Sequence, residues 1–419
     1  MTHSSIATLK SFRGNARGCV YTEALWGIPF NLYAPYVSVY MLALGLTDAQ
    51  IGLITSIGLA FQVFWALMSG AITDKVGRRR TTLITDLVSW SIPCLIWAIS
   101  QNFWYFLVAA IFNAVWRVSQ NSWTCLLVED TDPALLVEVY SWIYIANVIV
   151  AFIAPFSGLL IASFTLVPAM RGLFLFSFVM MTIKFFATNA MTTETQRGLI
   201  RRQETRDQPL FSVLGESTGV LRQVVQSPVI LATTGVMIIL SISRMIQGTF
   251  WSILATEKLG VPDQWLAVYF SARSLVMLLM FFLVIPRFRS MGVHKPMFFG
   301  FVGLLFSQLL LITLPPGSYW LLMVSTLMEA CSLPVASALL DKLVVLVVDP
   351  KERARIMAIV YVMVIVFTSP FGWIAGQMSQ VNRTLPFVLS IALYAIGGLL
   401  ILIEERLERV HGTPDQAIA

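Results

Sequence analysis

Charge is scarce in this sequence. Asp, Glu, Lys and Arg make up 12% of its 419 residues, 57% are hydrophobic and the mean hydropathy is +0.79. A soluble domain carries about a quarter charged residues, so a soluble globular chain is excluded. Histidine is scarcer still: His3, His294 and His411 lie in tails or a turn, which excludes an intramembrane histidine relay. Cys19, Cys94, Cys125 and Cys331 fall in or beside apolar runs with no ligand spacing, against a disulfide framework or a zinc site. No GxxxxGK[ST] phosphate loop, HExxH or nucleophile elbow occurs, so ATP-driven transport and an intramembrane enzyme are set aside, and no cofactor or metal is called for. The apolar stretches do not alternate, which excludes a membrane β-barrel. The net charge of +6 reads as topology and not as a nucleic-acid partner. The polar N-terminus up to Arg17 has no cleavable signal pattern, so the first span is expected to act as its own insertion signal.

What the sequence does contain is continuous apolar runs long enough to cross a bilayer as helices. Twelve are read, near 20–43, 49–72, 82–100, 104–127, 138–163, 168–190, 228–253, 265–285, 296–315, 318–342, 354–378 and 384–403. Most connections are very short. The exception runs from Thr192 to Ser227, with Arg197, Arg201, Arg202, Arg206 and Arg222 beside Glu194, Glu204, Asp207 and Glu216. It divides the spans six and six: an N-terminal bundle over 1–191, a cytoplasmic linker over 192–227, and a C-terminal bundle with a short tail over 228–419.

Lys and Arg set the orientation. Lys10, Arg13, Arg17, Lys75, Arg78, Arg79, Arg80, the five linker arginines, Arg287, Arg289, Lys295, Lys342, Lys351, Arg353, Arg355, Arg406 and Arg409 fall on one side. That side is the cytoplasm. Lys184 is expected to snorkel to it, and only Arg171, Lys258 and Arg383 fall opposite. Both termini are then cytoplasmic, on a multi-pass chain in the inner membrane. An internal repeat supports two homologous halves. Leu44-Gly45-Leu46-Thr47-Asp48 returns as Leu259-Gly260-Val261-Pro262-Asp263, and the same offset carries Gly77 onto Gly292 and Ala154-Pro155-Phe156 onto Ser369-Pro370-Phe371.

Between the second and third runs lies Gly70-Ala71-Ile72-Thr73-Asp74-Lys75-Val76-Gly77-Arg78-Arg79-Arg80. Its cations hold it out of hydrocarbon, Gly77 permits a tight reversal, and Asp74 can meet an arginine or a helix N-terminus. The turn resembles the signature loop of the major facilitator superfamily, G-x-L-x-D-R-x-G-R-R-R. It matches at Gly70, Asp74, Gly77, Arg78, Arg79 and Arg80, with Ile72 for Leu and Lys75 for Arg. The resemblance is to the 12-helix bacterial type. It implies two pseudo-symmetric six-helix bundles of an all-α membrane protein, with helices one, four, seven and ten around a central cavity. It also implies a latch, in which Glu129, Asp130 and Asp132 pair with the arginines of the turn while Asp74 meets the start of the eleventh helix. The second copy of the turn is degraded, with Arg289 where the first has Asp74.

Ionisable groups inside a span are costly and therefore candidates for function. In the tenth span Ser325, Glu329 and Ser332 share a face, and Glu329 is the one acid placed near mid-membrane. Such a group can exchange protons during a transport cycle, or stand in a permanent pair with Arg117 or Arg244. In the fourth span Asn113, Arg117, Gln120 and Thr124 share a face. Arg117-Val118-Ser119-Gln120 resembles the family's R-x-x-Q-G, with Asn121 for the glycine, and the resemblance implies proton coupling in an exporter; the other reading is a structural pair. Arg244, Gln247 and Trp251 make a polar face in the seventh span, while Arg273 in the eighth reads as a structural pair or gate. In the first, Glu23, Gly27, Asn31, Ala34 and Ser38 line one side, with Pro29 and Pro35 able to bend the helix. Glu23 and Asp86 lie toward cytoplasmic ends, where each either binds a proton or pairs with a basic turn. Ala154-Pro155-Phe156-Ser157-Gly158 partly matches the G-P-x-x-G-G motif of drug/proton antiporters, with Ala154 and Leu159 replacing two glycines. Close helix packing is the meaning preferred for it and for Ser369-Pro370-Phe371-Gly372 and Gly376.

The reading is a secondary transporter, monomeric in its lipid, that moves a small organic solute by alternating access as proton-coupled efflux. Its alternatives are uptake or exchange of an anionic solute held by Arg117 and Arg244, movement of a lipid-linked substrate, or a transporter-like receptor that binds without moving its ligand.

Overall fold

An apolar run offers its backbone N–H and C=O groups no water in a bilayer, so each satisfies them within itself as a helix. The computed structural model describes residues 12–207, 224, 226–290, 292–347 and 353–411, and among these there is helix and no strand. In chain order the longer helices are α1 Gly14–Tyr33, α2 Val37–Ala43, α3 Asp48–Val76, α4 Arg78–Asp86, α5 Ile92–Ile99, α6 Phe103–Asn113, α7 Trp116–Val128, α8 Leu136–Ala151, α9 Pro155–Phe164 and α10 Leu166–Met191. They continue as α11 Gln196–Glu204, α12 Pro228–Ile253, α13 Leu266–Leu279, α14 His294–Thr313, α15 Tyr319–Val347, α16 Arg353–Val381 and α17 Leu385–His411. Lys10, Glu216, Arg222 and Lys351, which the sequence places in a tail and in loops, lie outside the described residues.

Among the described residues ten helical runs are long and apolar enough to cross a membrane: Asp48–Val76, Arg78–Ile99, Pro133–Phe164, Leu166–Met191, Pro228–Lys258, Asp263–Phe288, His294–Thr313, Tyr319–Val344, Ile356–Val381 and Leu385–Arg406. The first and fourth expected spans are not among them. The first is interrupted where Pro35, which has no N–H to donate, sits in the short 3-10 turn Ala34–Tyr36 between α1 and α2. The fourth is broken between α6 and α7, and its second half carries Arg117, Ser119, Gln120, Asn121, Ser122 and Thr124.

The chain divides into two compact units. Unit 1 comprises Met1–Gln50, Ile54–Gly215 and Pro262–Ser271; unit 2 comprises Ile51–Leu53, Glu216–Val261 and Ala272–Ala419. In unit 1, Tyr33, Tyr40, Trp97, Phe106 and Phe174 pack as neighbouring rings 5.2–6.0 Å apart, and the Tyr40 hydroxyl donates to the Trp97 carbonyl at 2.9 Å. Gly158 brings α9 against the Gln264 carbonyl, which would lie 2.2 Å from an added Cβ. In unit 2, Phe301, Leu304, Ala336, Leu340 and Tyr394 belong to one buried core. Gly300 lets α14 approach α15, since a Cβ there would meet the Ala336 nitrogen at 3.2 Å. Gly372 and Gly376 of α16 pack close as well, around Gly52 of the same unit, whose added Cβ would lie 2.3 Å from the Gly372 oxygen.

The internal repeat is visible in backbone chemistry. Gly45 and Gly260 occupy equivalent places, and both adopt positive φ, +85° and +72°, which glycine alone takes without strain. Beyond these glycines the two copies diverge. Thr47 and Gln50 form a reciprocal capping box at the start of α3, which satisfies two otherwise unpaired amides. In the second copy Pro262 stands in the place of Thr47 and precedes a short 3-10 turn, Asp263–Trp265.

Candidate functional site

A buried polar cluster of unit 2 is built on α12, α13 and α15. Glu329 is 3% exposed. Its Oε1 accepts from Arg273 Nη2 at 3.0 Å and its Oε2 from Gln247 Nε2, also at 3.0 Å. The partner is therefore Arg273 and not Arg117 or Arg244, the two cations the sequence suggests. Helical spacing could place several cations at similar depth, but only the packing of α13 brings one to the carboxylate. The contact is single-armed, through one guanidinium nitrogen and not the two-pronged fork that arginine makes with a carboxylate at its strongest. Tyr394 is buried and within electrostatic reach of Glu329, and Trp251 is buried on α12. Ser325 and Ser332 share the face of Glu329 but spend their hydroxyls elsewhere, on the carbonyls of Ser307 at 2.8 Å and Met328 at 2.9 Å. Arg244 is exposed, within electrostatic reach of Asp341 and Tyr361.

Unit 1 holds the remaining candidates. Arg117 donates through Nε to Gln62 Oε1 at 3.0 Å and through Nη1 to Gln120 Oε1 at 3.5 Å, and its guanidinium lies 4.1 Å from the centroid of the Trp116 ring. Among the described residues it forms no ion pair. Asn113 donates to the Ser89 carbonyl at 2.8 Å, within the π-turn Leu87–Ser91, the kind of irregularity that often marks functional helix positions. Asn31 donates to the Gly27 carbonyl of its own helix at 2.8 Å.

Asp86 is 5% exposed, accepts from the Ser119 hydroxyl, and faces Lys184 Nζ at 3.9 Å. Its cation is thus an intramembrane lysine and not a basic turn. Lys184, expected to snorkel to the cytoplasm, is itself 5% exposed. Snorkelling serves a lysine on a lipid-facing surface; this one faces inward, with Trp123 and Phe185 rings 5.9 and 5.3 Å away.

The signature turn is held by a network of acids within unit 1. Gly77 ends α3 at φ +99° and Arg78 opens α4. The Arg78 side chain, 3% exposed as a residue, pairs with Asp74 at 2.8 Å and with Glu129 through two nitrogens at 3.0 and 3.1 Å. Asp74 also meets Arg201 of α11 at 3.0 Å. The described partners of Asp74 are these two arginines; the stretch just before the eleventh helix, beside the partner the resemblance implied, lies outside the described residues. The Asp74 carboxylate raises the pKa of the Arg201 guanidinium, with Glu204 adding to the effect. Asp130 accepts from the Gln196 amide at 3.3 Å, and Asp132 caps Ala134.

Glu194 completes the turn, although the sequence singles it out only as a linker charge. Its two oxygens accept from the Arg78 and Arg79 amides at 2.8 and 3.1 Å, so it caps the free N–H groups at the start of α4. Glycine makes room for it: an added Cβ at Gly77 would sit 2.6 Å from Glu194 Oε2, and one at Gly198 2.2 Å from Oε1. The local signal for α11 is Thr195, whose hydroxyl accepts from the Gly198 amide at 2.9 Å as an N-cap. Gly77→Ala is therefore expected to destabilise the turn by about 2 kcal/mol, through a strained φ and a displaced Glu194. Gly70, whose Cβ position has nothing within 4 Å, is the control: Gly70→Ala should hold or raise the unfolding midpoint. Equal midpoints for the two variants in detergent would refute this.

Comparison with known proteins gives a consistent picture. The family model of the Major Facilitator Superfamily matches residues 24–364. No curated protein sequence matches the chain. A mutant form of the nucleoside transporter NupG is similar in structure with a TM-score of 0.75 at 14% identity, covering 93% of this chain and 100% of that one. A bacterial homolog of the human lysosomal transporter Spinster, inward-facing and occupied, gives 0.69 at 14% identity over 93% and 96% of the two chains. The POT family transporter PepTSo gives 0.71 at 12% over 94% and 98%. At these identities the likeness is one of fold.

Proposed function

The chain belongs to the Major Facilitator Superfamily, and from that we propose that it is a proton-coupled exporter of a small organic solute, working by alternating access. The observation that carries this reading is Glu329: a carboxylate 3% exposed, deep in a span, with one guanidinium contact and one amide contact. A buried ion pair is a poor source of stability, because desolvation offsets most of its attraction. A pair of this kind suits a group that changes partner: Glu329 held by Arg273 when ionised, and released from it when protonated. Gln247 and Trp251 then contact solute beside it. In unit 1, Asn31, Asn113, Arg117 and Gln120 are the corresponding solute-facing candidates, and the Asp74, Arg78 and Glu129 network is the conformational latch.

In this reading the first and fourth runs cross the membrane as broken helices, α1 with α2 and α6 with α7, completing twelve spans in two six-helix bundles joined by the 192–227 linker. Both termini are cytoplasmic, and the membrane is the inner one. A second reading has its own observation. Arg117 makes no ion pair among the described residues, which favours uptake or exchange of an anionic solute that supplies the missing carboxylate or phosphate.

A thermal-shift screen of the purified protein at low and high pH separates the two. Stabilisation by lipophilic cations supports the exporter with Glu329 as charge partner. Stabilisation by organic phosphates or carboxylates that is lost in Arg117→Gln moves the function to anion exchange.

A further inference from the structure

Unit 2 carries an open groove that nothing in the proposed transport cycle uses. After α13 the chain winds into a wider π-turn, Met280–Val284, and then a 3-10 turn, Ile285–Ser290. Pro286, which has no N–H to donate, stands inside the second of these. While this end of α13 departs from the α-helix, α14 and α15 stay close. A Cβ at Gly300 would meet the Ala336 nitrogen at 3.2 Å, and one at Gly303 would run into the Ser332 hydroxyl. Between the turns and this tight helix pair lies a cavity of about 430 Å³. Met280 and Phe288 of the turns, Lys295 and Phe299 of α14, and Cys331 and Val335 of α15 line it.

The walls are apolar. Ser332 also lines the groove, but its hydroxyl is spent on the Met328 carbonyl of its own helix at 2.9 Å, which leaves little to recognise a polar solute. Phe281, Phe282 and Leu283, which follow Met280, are exposed, and Phe299 is 70% exposed. On a soluble protein such a patch marks an interaction site; on a membrane-spanning run it faces acyl chains. Against these walls stands a single charge. Lys295, itself exposed, is the one charged side chain among the described residues that line the groove. It is the second residue of α14, at the end of a span, where a lysine lays its stem along apolar surface and holds its ammonium in the interface. An apolar cleft with a cation at its interfacial end is complementary to a molecule with apolar chains and an anionic head. A smaller groove of unit 1, of about 320 Å³ between Phe156, Leu159, Gln264 and Trp265, is the contrast, since no charged residue is among the described ones that line it.

We propose that the groove of unit 2 is a lipid site. One acyl chain of an anionic diacyl phospholipid lies between the turns after α13 and the face of α15, and its phosphate meets the Lys295 ammonium. In the orientation proposed above, this lipid belongs to the cytoplasmic leaflet. Glu329 takes no part in the site, so this inference survives or fails apart from the export reading.

Native mass spectrometry of the full-length protein tests it, with phosphatidylglycerol and phosphatidylcholine of identical chains supplied in equal amounts. Wild type should retain phosphatidylglycerol in preference. Lys295→Gln should lower that preference about fivefold, the equivalent of about 1 kcal/mol for one interfacial cation, and Lys295→Arg should keep it. Arg202→Gln, which removes an exposed cation of α11, should leave the preference as in wild type. Excess inorganic phosphate should displace none of the lipid. A preference in Lys295→Gln equal to that in Arg202→Gln would overturn the proposal, as would equal retention of the two lipids by wild type. Displacement by inorganic phosphate overturns it as well, because the site would then hold a free anion and not a lipid.

Discussion

Glu329→Gln is expected to abolish proton-driven accumulation while leaving solute counterflow intact. Glutamine keeps the size of the side chain and can still hydrogen-bond Gln247, whose contact with Glu329 is 3.0 Å. It cannot ionise, so it never calls Arg273 to itself and never carries a proton. If chemistry and solute binding were one event, both activities would fall together. If Glu329 only props α15 against α13, the variant should lose stability, because Arg273 is left unpaired, yet keep whatever coupling it retains after folding. Unchanged accumulation driven by a pH gradient in liposomes would remove Glu329 from the coupling mechanism.

Arg78→Ala is expected to have the largest structural effect of any substitution in the signature turn. Arg78 is 3% exposed and its guanidinium is shared by Asp74 and Glu129. Its removal takes the Arg78 guanidinium from Glu129 and leaves Asp74 with Arg201, beside Glu194 at the start of α4. Breaking a buried pair by deleting one partner costs about 3–5 kcal/mol, and the Arg78–Glu129 pair is the buried one lost here. Arg79 is a useful contrast, since its side chain makes one hydrogen bond, to the Asn189 carbonyl at 2.9 Å, worth about 1 kcal/mol. Arg78→Lys should recover only part of the loss, because an ammonium is a point charge and cannot hold two carboxylates as the planar fork does. The check is the detergent unfolding midpoint of the three variants. Arg78→Ala and Arg79→Ala with equal midpoints would show that the network is a surface decoration.

Some of this arrangement is legible in the sequence, and the reasons are physical. The signature turn is local: Asp74, Gly77 and Arg78 are close in the chain, so their chemistry survives without coordinates. The family and helical membrane fold emerge from run length and from that turn. Glu329 stands out because it is the one deep acid of a long apolar run. Its partner does not: the sequence suggests Arg117 or Arg244 and reads Arg273 only as a structural pair or gate, because the rotation of each helix is not encoded locally. The inward face of Lys184 is not legible in its charge, which points to snorkelling. It lies on the buried stripe of α10 that includes Ser177, Met181, Phe185 and Thr188, a helical spacing that marks an inward face. Glu194 is hidden differently: its role depends on the approach of α11 to a turn more than a hundred residues earlier, as the Arg78 contact records. The first and fourth spans fall short of a simple crossing helix because Pro35 and the polar residues after Ala114 interrupt them. Those interruptions lie where the candidate solute-facing residues are, which is where local rules are expected to fail for a working protein.

The most direct test of proton-coupled transport is made on wild-type protein in liposomes loaded with a pH-sensitive dye. The compound that stabilises the protein most in the thermal screen is added outside, with no pH gradient imposed. We expect its entry to drive protons outward, so that the interior turns alkaline, and we expect Glu329→Gln to show neither net entry nor that change, while still exchanging compound across liposomes that are also loaded with it inside. Entry of the compound into wild-type liposomes with no movement of internal pH would contradict the coupling and leave a uniporter in its place.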